Sequence, residues 1–380
     1  MLLQHPIEEE TLPDYRSEDY YPVNIGEVFV DRYEVVGKLG YGSNSTSWLC
    51  RDRETNSFRT VKVSICLKNF PEAATREITA YKHIASVALR SKHPGRHLIR
   101  SMYDDFILHT ATGEHHALVL SPMYMTMLDR ARQYPNALLP LADARKLVRN
   151  MLWVLDFLHA EAGVVHADLK TDNLMLTIED GGMLSDFVRD ETAQPSRRRE
   201  GQDGRGIYRS RGFRPPRPGM GFGTPVLCDF GESRIGTVQS PERGVQPMVY
   251  RAPEVIFEMA WGCAADIWNL AGLVWELVQG ERLFRNITDV SGTHSAFRHV
   301  ARMVALLGKP PSMFLQRSRS TAQCFEPDGA WIADTEAQVP AVCLESLEQR
   351  YAEIRRTAED KAAVDAERDA FLDFVRAMLQ

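Results

Sequence analysis

The sequence predicts an α+β chain in which a small antiparallel sheet comes first and a mainly helical region follows. Three observations predict it. Apolar and polar residues alternate between Tyr33 and Ser64, helical periodicity governs residues 144–163 and 265–280, and the Gly- and Pro-rich stretch 181–225 lies between them.

In chain order, residues 1–32 are acidic and contain proline, which predicts an irregular lead-in. "YEVVGKLGYG", "STSWLCRD" and "FRTVKVSI" then predict three strands joined by glycine and charged turns. "EAATREITAYKHIASVAL" predicts a helix with Ala74, Ile78, Tyr81 and Ala85 on one face, and "HALVLSPM" a buried strand ending at Pro122. These elements make a first lobe over 33–121, with 122–380 as hinge and second lobe. "ARKLVRNMLWVLDFLHAEAG" repeats Leu147, Met151, Leu155 and Leu158 at helical spacing and stops at Gly163, a capping glycine. Residues 181–225 hold 9 Gly and 5 Pro among 45 residues, a level at which structureless sequence is the default, with 9 Arg against 5 acids. This stretch is read as an insert in the second lobe. "ADIWNLAGLVWELVQG" is an apolar helix closed by Gly280.

Composition narrows the class. At 380 residues, 44% hydrophobic and 25% charged, the chain has material for two sizeable cores. Its longest apolar runs fall short of the roughly 20 residues a bilayer helix needs, and "MLLQHPIEEE" lacks a basic flank, so neither a membrane span nor a secretory signal is expected. A cytoplasmic or nuclear monomer is the expectation. Six scattered cysteines without a Cys-x-x-Cys pair predict reduced thiols, and a net charge of −6 gives no general attraction to nucleic acid.

"VVHADLKTDNLML" crowds polar groups between apolar ends. Phosphoryl transfer needs a carboxylate to orient the attacking hydroxyl, a cation against the moving phosphate and oxygen ligands for a metal, and Asp168, Lys170 and Asn173 supply these in one short loop. The alternative is a solvated turn with a core histidine. In "CDFGES", Asp229 follows an apolar strand and precedes a flexible Gly231, a position suited to a metal ligand. "LGYGSNSTS" places Gly40 and Gly42 in a turn where backbone amides can approach phosphate, although Ser45 and Ser47 depart from the glycine-loop pattern. Lys62 lies between apolar neighbours in "TVKV" and needs an acidic partner if it points inward, for which Glu77 on the next helix is suited. Singly, each of these also reads as an ordinary surface charge or turn.

The order of glycine turn, Lys62, Glu77, "HADLKTDN", "DFG", "RAPE" and Asp266 resembles the eukaryotic protein kinases from about Tyr33 onward. Within them, "GYGSNSTSWL", the small residue in "HADLK", "YRAPEVI" followed by "ADIWN", and the spacer before "DFG" resemble the SR-protein kinases of fungal type. The resemblance implies a two-lobed fold with ATP in the cleft and a protein serine/threonine kinase activity using ATP and magnesium. Carried over by position, it implies ATP contacts from Leu39, Gly40, Tyr41, Gly42, Ser43, Ser47, Lys62, Glu77 and the hinge at Leu120 to Met123. Asp168 is implied as catalytic base, Lys170 as stabiliser of the moving phosphoryl group, and Asn173 and Asp229 as magnesium ligands. The implied partners are protein substrates, with Arg-Ser-rich splicing-type proteins as the narrower class. A kinase-like binding or scaffold protein without activity is the alternative.

Two departures matter. Ala167 stands where many kinases carry an arginine that reads activation-loop phosphate, which predicts activity without that phosphate. The carboxyl terminus after "FLDFVRAMLQ" lacks the arginine that pairs with the "APE" glutamate, so Glu254 is expected to lack its partner. In the insert, Ser210 lies between Arg209 and Arg211, and Ser318 and Ser320 in "QRSRS" are similar. The insert is accordingly either a tethered competitor with a phosphorylation site or a solvated linker.

Overall fold

The computed structural model describes residues 5–66, 71–201, 204–242 and 244–380, without the side chains of 71–74. It divides the chain into two compact units, Met1–Met127 with Leu174–Gly231, and Leu128–Asn173 with Glu232–Gln380.

The first unit is built on an antiparallel sheet of β1 (Val28–Phe29), β2 (Tyr33–Gly42), β3 (Ser45–Asp52), β4 (Ser57–Ser64), β5 (Met102–Thr110) and β6 (Gly113–Leu120), in the order β1-β2-β3-β4-β6-β5. The alternation read in the sequence sends Tyr33, Val35, Trp48, Cys50, Val61 and Val63 to one buried face, where Leu108, Ala117 and Val119 join them. A second sheet joins β7 (Met123–Thr126) to Leu174–Thr177 and Pro225–Leu227.

Helix α1 (Pro71–Ala88) buries Glu77, Ile78, Tyr81 and Ile84. Ala85, expected on that face, is exposed, because the larger Ile84 turns inward and shifts the stripe by one residue. The side chain of Ala74 lies outside the described residues.

The expectation of a structureless insert is corrected. Residues Gly182–Ala193 form a helix, and Arg198–Glu200 pairs with Gly206–Tyr208 as a hairpin. Few apolar residues suffice because they are well placed: Met183, Phe187, Ile207 and Tyr208 are buried, and Tyr208 meets Trp48 edge-on. The insert also groups with the first unit, not with the second lobe to which sequence order assigns it. Three of its arginines pair with acids of the same stretch or just before it, Arg211 with Glu191, Arg214 with Asp190 and Arg217 with Asp180. Lead-in residues Glu8–Thr11 form a 3-10 turn against β2.

In the second unit, the helix Leu141–Asp156 continues as a wider π turn over Phe157–Ala162 and ends at Gly163, whose φ of 61° is the left-handed cap the sequence suggested. Leu147, Met151, Leu155 and Leu158 are buried as expected. The helix Cys263–Gln279 is apolar on nearly all sides, ends at left-handed Gly280, and is covered by the terminal helix Lys361–Met378. Among the described residues no helix is long and apolar enough to cross a membrane.

Candidate active site

Lys62 occupies the middle of β4, flanked by Ser47 on β3 and Leu118 on β6. Its Nζ donates to Glu77 Oε2 at 2.8 Å and to Asp229 Oδ1 at 3.1 Å. Burial alone would lower the ammonium pKa, but Asp229 and Glu77 outweigh it and hold Lys62 well above the ordinary lysine range. For Glu77 the balance is reversed. Burial raises its carboxyl above the usual value despite Lys62, and Asp229 adds to the rise. Asp229 follows the strand Pro225–Leu227 with φ at 62°, and its side chain is 44% exposed. The next residue, Phe230, is fully buried and meets Tyr81 of α1 edge-on at 5.0 Å.

Gly40 and Gly42, expected in a turn, lie on the last part of β2 itself, opposite Ser47 and Ser45 of β3, and the turn is left to Ser43 and Asn44. A Cβ at either glycine would meet nothing within 4 Å, so the backbone there borders open space. Leu39 and Ser47 are half-buried, and Tyr41 and Ser43 are exposed. Leu120 ends β6 in the core, and Met123 opens β7 beside Val226 and Cys228. The Arg100 guanidinium, bonded to the Ser121 carbonyl at 2.9 Å, steadies the link between those strands.

In the second unit, the loop 166–173 follows the short strand Val164–Val165. Asp168 is its centre. Lys170 Nζ donates to Asp168 Oδ2 at 2.7 Å, and Asn173 Nδ2 donates to the same oxygen and to the Asp168 carbonyl, each at 2.8 Å. The loop is fixed from behind by Asp266, which is fully buried in the helix Cys263–Gln279. Its two oxygens accept from the backbone N–H groups of His166 and Ala167, each at 2.8 Å, and His159 Nε2 lies 2.9 Å away. The two amide bonds allow Ala167 to hold a φ of 63°, a conformation unfavourable for a residue with a side chain.

The sequence-predicted residues therefore fall into two bonded sets, Lys62 with Glu77 and Asp229, and Asp168 with Lys170 and Asn173. Sequence reasoning named Asp266 by its place in the motif order but gave it no task. It missed His159, Gln246 and Asn269 altogether. Gln246 Nε2 donates to the Ala265 carbonyl at 2.8 Å and to Asn269 Oδ1 at 3.0 Å, Gln246 Oε1 accepts from Ala252 N, and Asn269 Nδ2 donates to the Tyr250 carbonyl. This buried neutral network holds the segment before "APE" to the helix. A glutamine in a loop gives no sequence signal for it, whereas the polar positions of "ADIWN" within an apolar helix do.

Glu254 lines a cavity of about 580 Å³ together with Phe257, Trp268, Phe314 and Arg317. Burial raises its carboxyl pKa and Arg317 offsets part of the rise. Arg376 on the terminal helix is bonded to Asp373 and Glu345.

The family of protein kinase domains matches residues 33–209. Over 374 residues the chain is 34% identical to a serine/threonine protein kinase of Aspergillus fumigatus, covering 98% of this chain and 86% of that protein. It is 28% identical over 340 residues to the serine/threonine-protein kinase SRPK of Physarum polycephalum, covering 85% of this chain and 78% of the relative. A shorter match, 34% over 173 residues, covers 46% of this chain and 30% of SRSF protein kinase 3 of Homo sapiens. Together with the two bonded sets, these likenesses show that the chain belongs to the eukaryotic serine/threonine protein kinases, in their SR-protein kinase-like group.

Proposed function

We propose that this kinase transfers the γ-phosphoryl group of ATP, with magnesium, to serine hydroxyls in proteins, and favours serines with arginine beside them. The observation that carries the catalytic part is the convergence of Lys170 and Asn173 on the Asp168 carboxylate. The substrate class draws support from the names of the Physarum and human relatives.

The residues present suit ATP and a hard divalent cation. Asn173 and Asp229 offer the oxygen donors that magnesium takes, and among the described residues no cluster of three His, Cys, Asp or Glu side chains forms a self-contained metal cage. This is the usual case when phosphate oxygens and water complete the shell. Lys62, charged and held by Glu77, offers a cation for the α and β phosphates, and the open space at Gly40 and Gly42 admits them close to the backbone. Magnesium ATP, when bound, supplies the phosphoryl group and neutralises charge that develops on it.

In this reading Asp168 orients the substrate hydroxyl and accepts its proton, and Lys170 balances negative charge on the moving group. Asn173 fixes the Asp168 carboxylate, and Asn173 and Asp229 would each offer an oxygen to the metal. The test is a phosphotransfer assay on an Arg-Ser peptide with Asp168→Asn, which keeps the shape and removes the base. A loss of kcat of at least about a hundredfold is expected, since general base catalysis contributes roughly 10²- to 10⁴-fold. Turnover like the wild type would overturn the role of Asp168.

A further inference from the structure

The glycine-bearing end of β2 is anchored by a fully buried lysine on the same strand. Lys38, on β2 just before the two glycines, is 0% exposed, a state lysine adopts only when paired. Its ammonium bonds to Glu9, lies 3.9 Å from Glu8 Oε2, and sits 5.4 Å from the ring centroid of Tyr41, which stands between the two glycines. Both acids belong to the 3-10 turn Glu8–Thr11 of the lead-in.

That acidic turn is in turn held by the insert. Ser210 Oγ donates to Glu8 Oε2, and Arg199 bonds to Glu10. Arg205 donates to the carbonyls of Ser17 and Tyr20. The backbone N–H of Arg211 donates to the Lys38 carbonyl at 2.9 Å, so Ser210 and Arg211 bridge the acidic turn and β2 directly. One cation, Lys38, is thus shared by Glu8 and Glu9, and the serine hydroxyl supplies the remaining donor to Glu8.

We propose that Ser210 is a phosphorylation site of this kinase and that phosphate there opens the clamp on Lys38. The proposal rests on the Arg-Ser substrate reading above, because Ser210 lies between Arg209 and Arg211. In the step, the bond between the γ-phosphorus and the bridging oxygen of ATP breaks and a bond to Ser210 Oγ forms. ADP leaves, and the serine proton passes to the base. The hydrogen bond to Glu8 then has no donor, and about −1.5 to −2 charges stand against a carboxylate that has only a shared cation. The acidic turn separates from the insert. The buried ammonium loses compensation, and β2 with its glycine-bearing end becomes less protected. Modification captures the chain while residues 209–212 are off the turn, and Arg209 and Gly212, both exposed, permit that opening.

The experiment incubates the full chain with magnesium ATP and an Arg-Ser peptide together. It locates phosphate by mass spectrometry and measures amide exchange over residues 8–10 and 34–40 and the KM for ATP. Phosphate on Ser210, exchange there faster by about tenfold or more, and a raised KM for ATP are expected. Ser210→Ala, which also lacks the hydroxyl donor to Glu8, should show exchange rates that incubation with ATP does not change, and should keep its turnover of peptide. A labelled peptide with unmodified Ser210 overturns this proposal and leaves the substrate reading standing. Phosphate on Ser210 with unchanged exchange over 34–40 overturns the clamp. Labelled Ser210, faster exchange and an unlabelled peptide would support the clamp and count against the substrate reading.

Discussion

Lys62 shows how two buried charges set each other's state. Its ammonium stays charged because Asp229 and Glu77 outweigh burial, while Glu77 remains easier to protonate than a free glutamate. Lys62→Met should abolish phosphotransfer, and its effect on stability should depend on pH. Removing one member of a buried pair costs about 3–5 kcal/mol when the other stays ionised. Glu77 in the variant has a folded pKa raised further above its unfolded value, so stability is retained below the unfolded value and lost as pH rises through the folded one. Thermal unfolding at pH 8 and pH 5 checks this: the melting deficit should be larger at pH 8, and an equal deficit would contradict it. Asp229→Ala should likewise lose phosphotransfer, with weakened magnesium-dependent nucleotide binding and a retained fold. The glycines give a complementary case. A methyl group at Gly40 or Gly42 meets only open space, and alanine restricts the unfolded chain more than glycine. Gly40→Ala and Gly42→Ala should therefore match or exceed wild-type stability, by up to about 1 kcal/mol, while raising the KM for ATP. Denaturant unfolding beside kinetics separates the two effects, and a destabilised variant with normal KM would refute the assignment.

At the scale of elements, the segment before "APE" is held by a buried neutral network together with the Tyr250 hydroxyl on the Glu276 carboxylate, and by no phosphate-reading arginine from the loop 166–173. Gln246 and Asn269 join it to the helix Cys263–Gln279 through buried hydrogen bonds, and Ala167 offers no arginine for a phosphate to meet. Phosphatase treatment should consequently not lower peptide phosphorylation, whereas Gln246→Ala should, since each buried group left without its partner costs about 1–3 kcal/mol. Loss of most activity after dephosphorylation would refute this. What could be read from sequence follows the same division. Strands with strict alternation, helices with glycine caps and the acids, lysines and asparagine of short motifs were legible because their cause lies within a few residues. The drift from Ala85 to Ile84 moved the buried stripe by one residue, which helical spacing alone does not resolve. The order in the Gly- and Arg-rich insert depended on Glu191, Asp190 and Asp180 together with a few aromatic anchors, so composition alone pointed to disorder. Lys38 read as an ordinary strand residue because its partners Glu8 and Glu9 lie 29 and more positions earlier in an acidic lead-in.

For the whole molecule, neither compact unit is continuous in sequence. The chain leaves the first after Met127, returns at Leu174, and leaves again after Gly231. Boundaries of this kind have no local signature, which is why sequence order placed the insert with the wrong unit. The second unit joins its loop to a distant helix through one carboxylate. Asp266→Asn offers the His166 and Ala167 amides only one acceptor oxygen and turns an NH₂ group toward the other. Asp168 should shift, and a displacement near 1 Å costs on the order of a hundredfold in rate. A kcat loss of that order with nucleotide affinity unchanged is expected in steady-state and binding measurements, and unchanged kcat would show that the loop holds itself.

The same carboxylate orders events in time. Residues 166 and 167 wait for an acceptor 100 and 99 positions further along the chain, and contacts so distant in sequence form late because loop closure must precede them. During synthesis the whole first unit, with Lys62, Glu77 and Asp229, has been made once Gly231 has emerged. At that moment the loop bearing Asp168 has only its own bonds from Lys170 and Asn173, without the carboxylate that fixes it from behind. A nascent chain can thus acquire its nucleotide-side framework well before the loop bearing Asp168 is fully set, and full phosphoryl-transfer rate awaits the docking of the helix carrying Asp266.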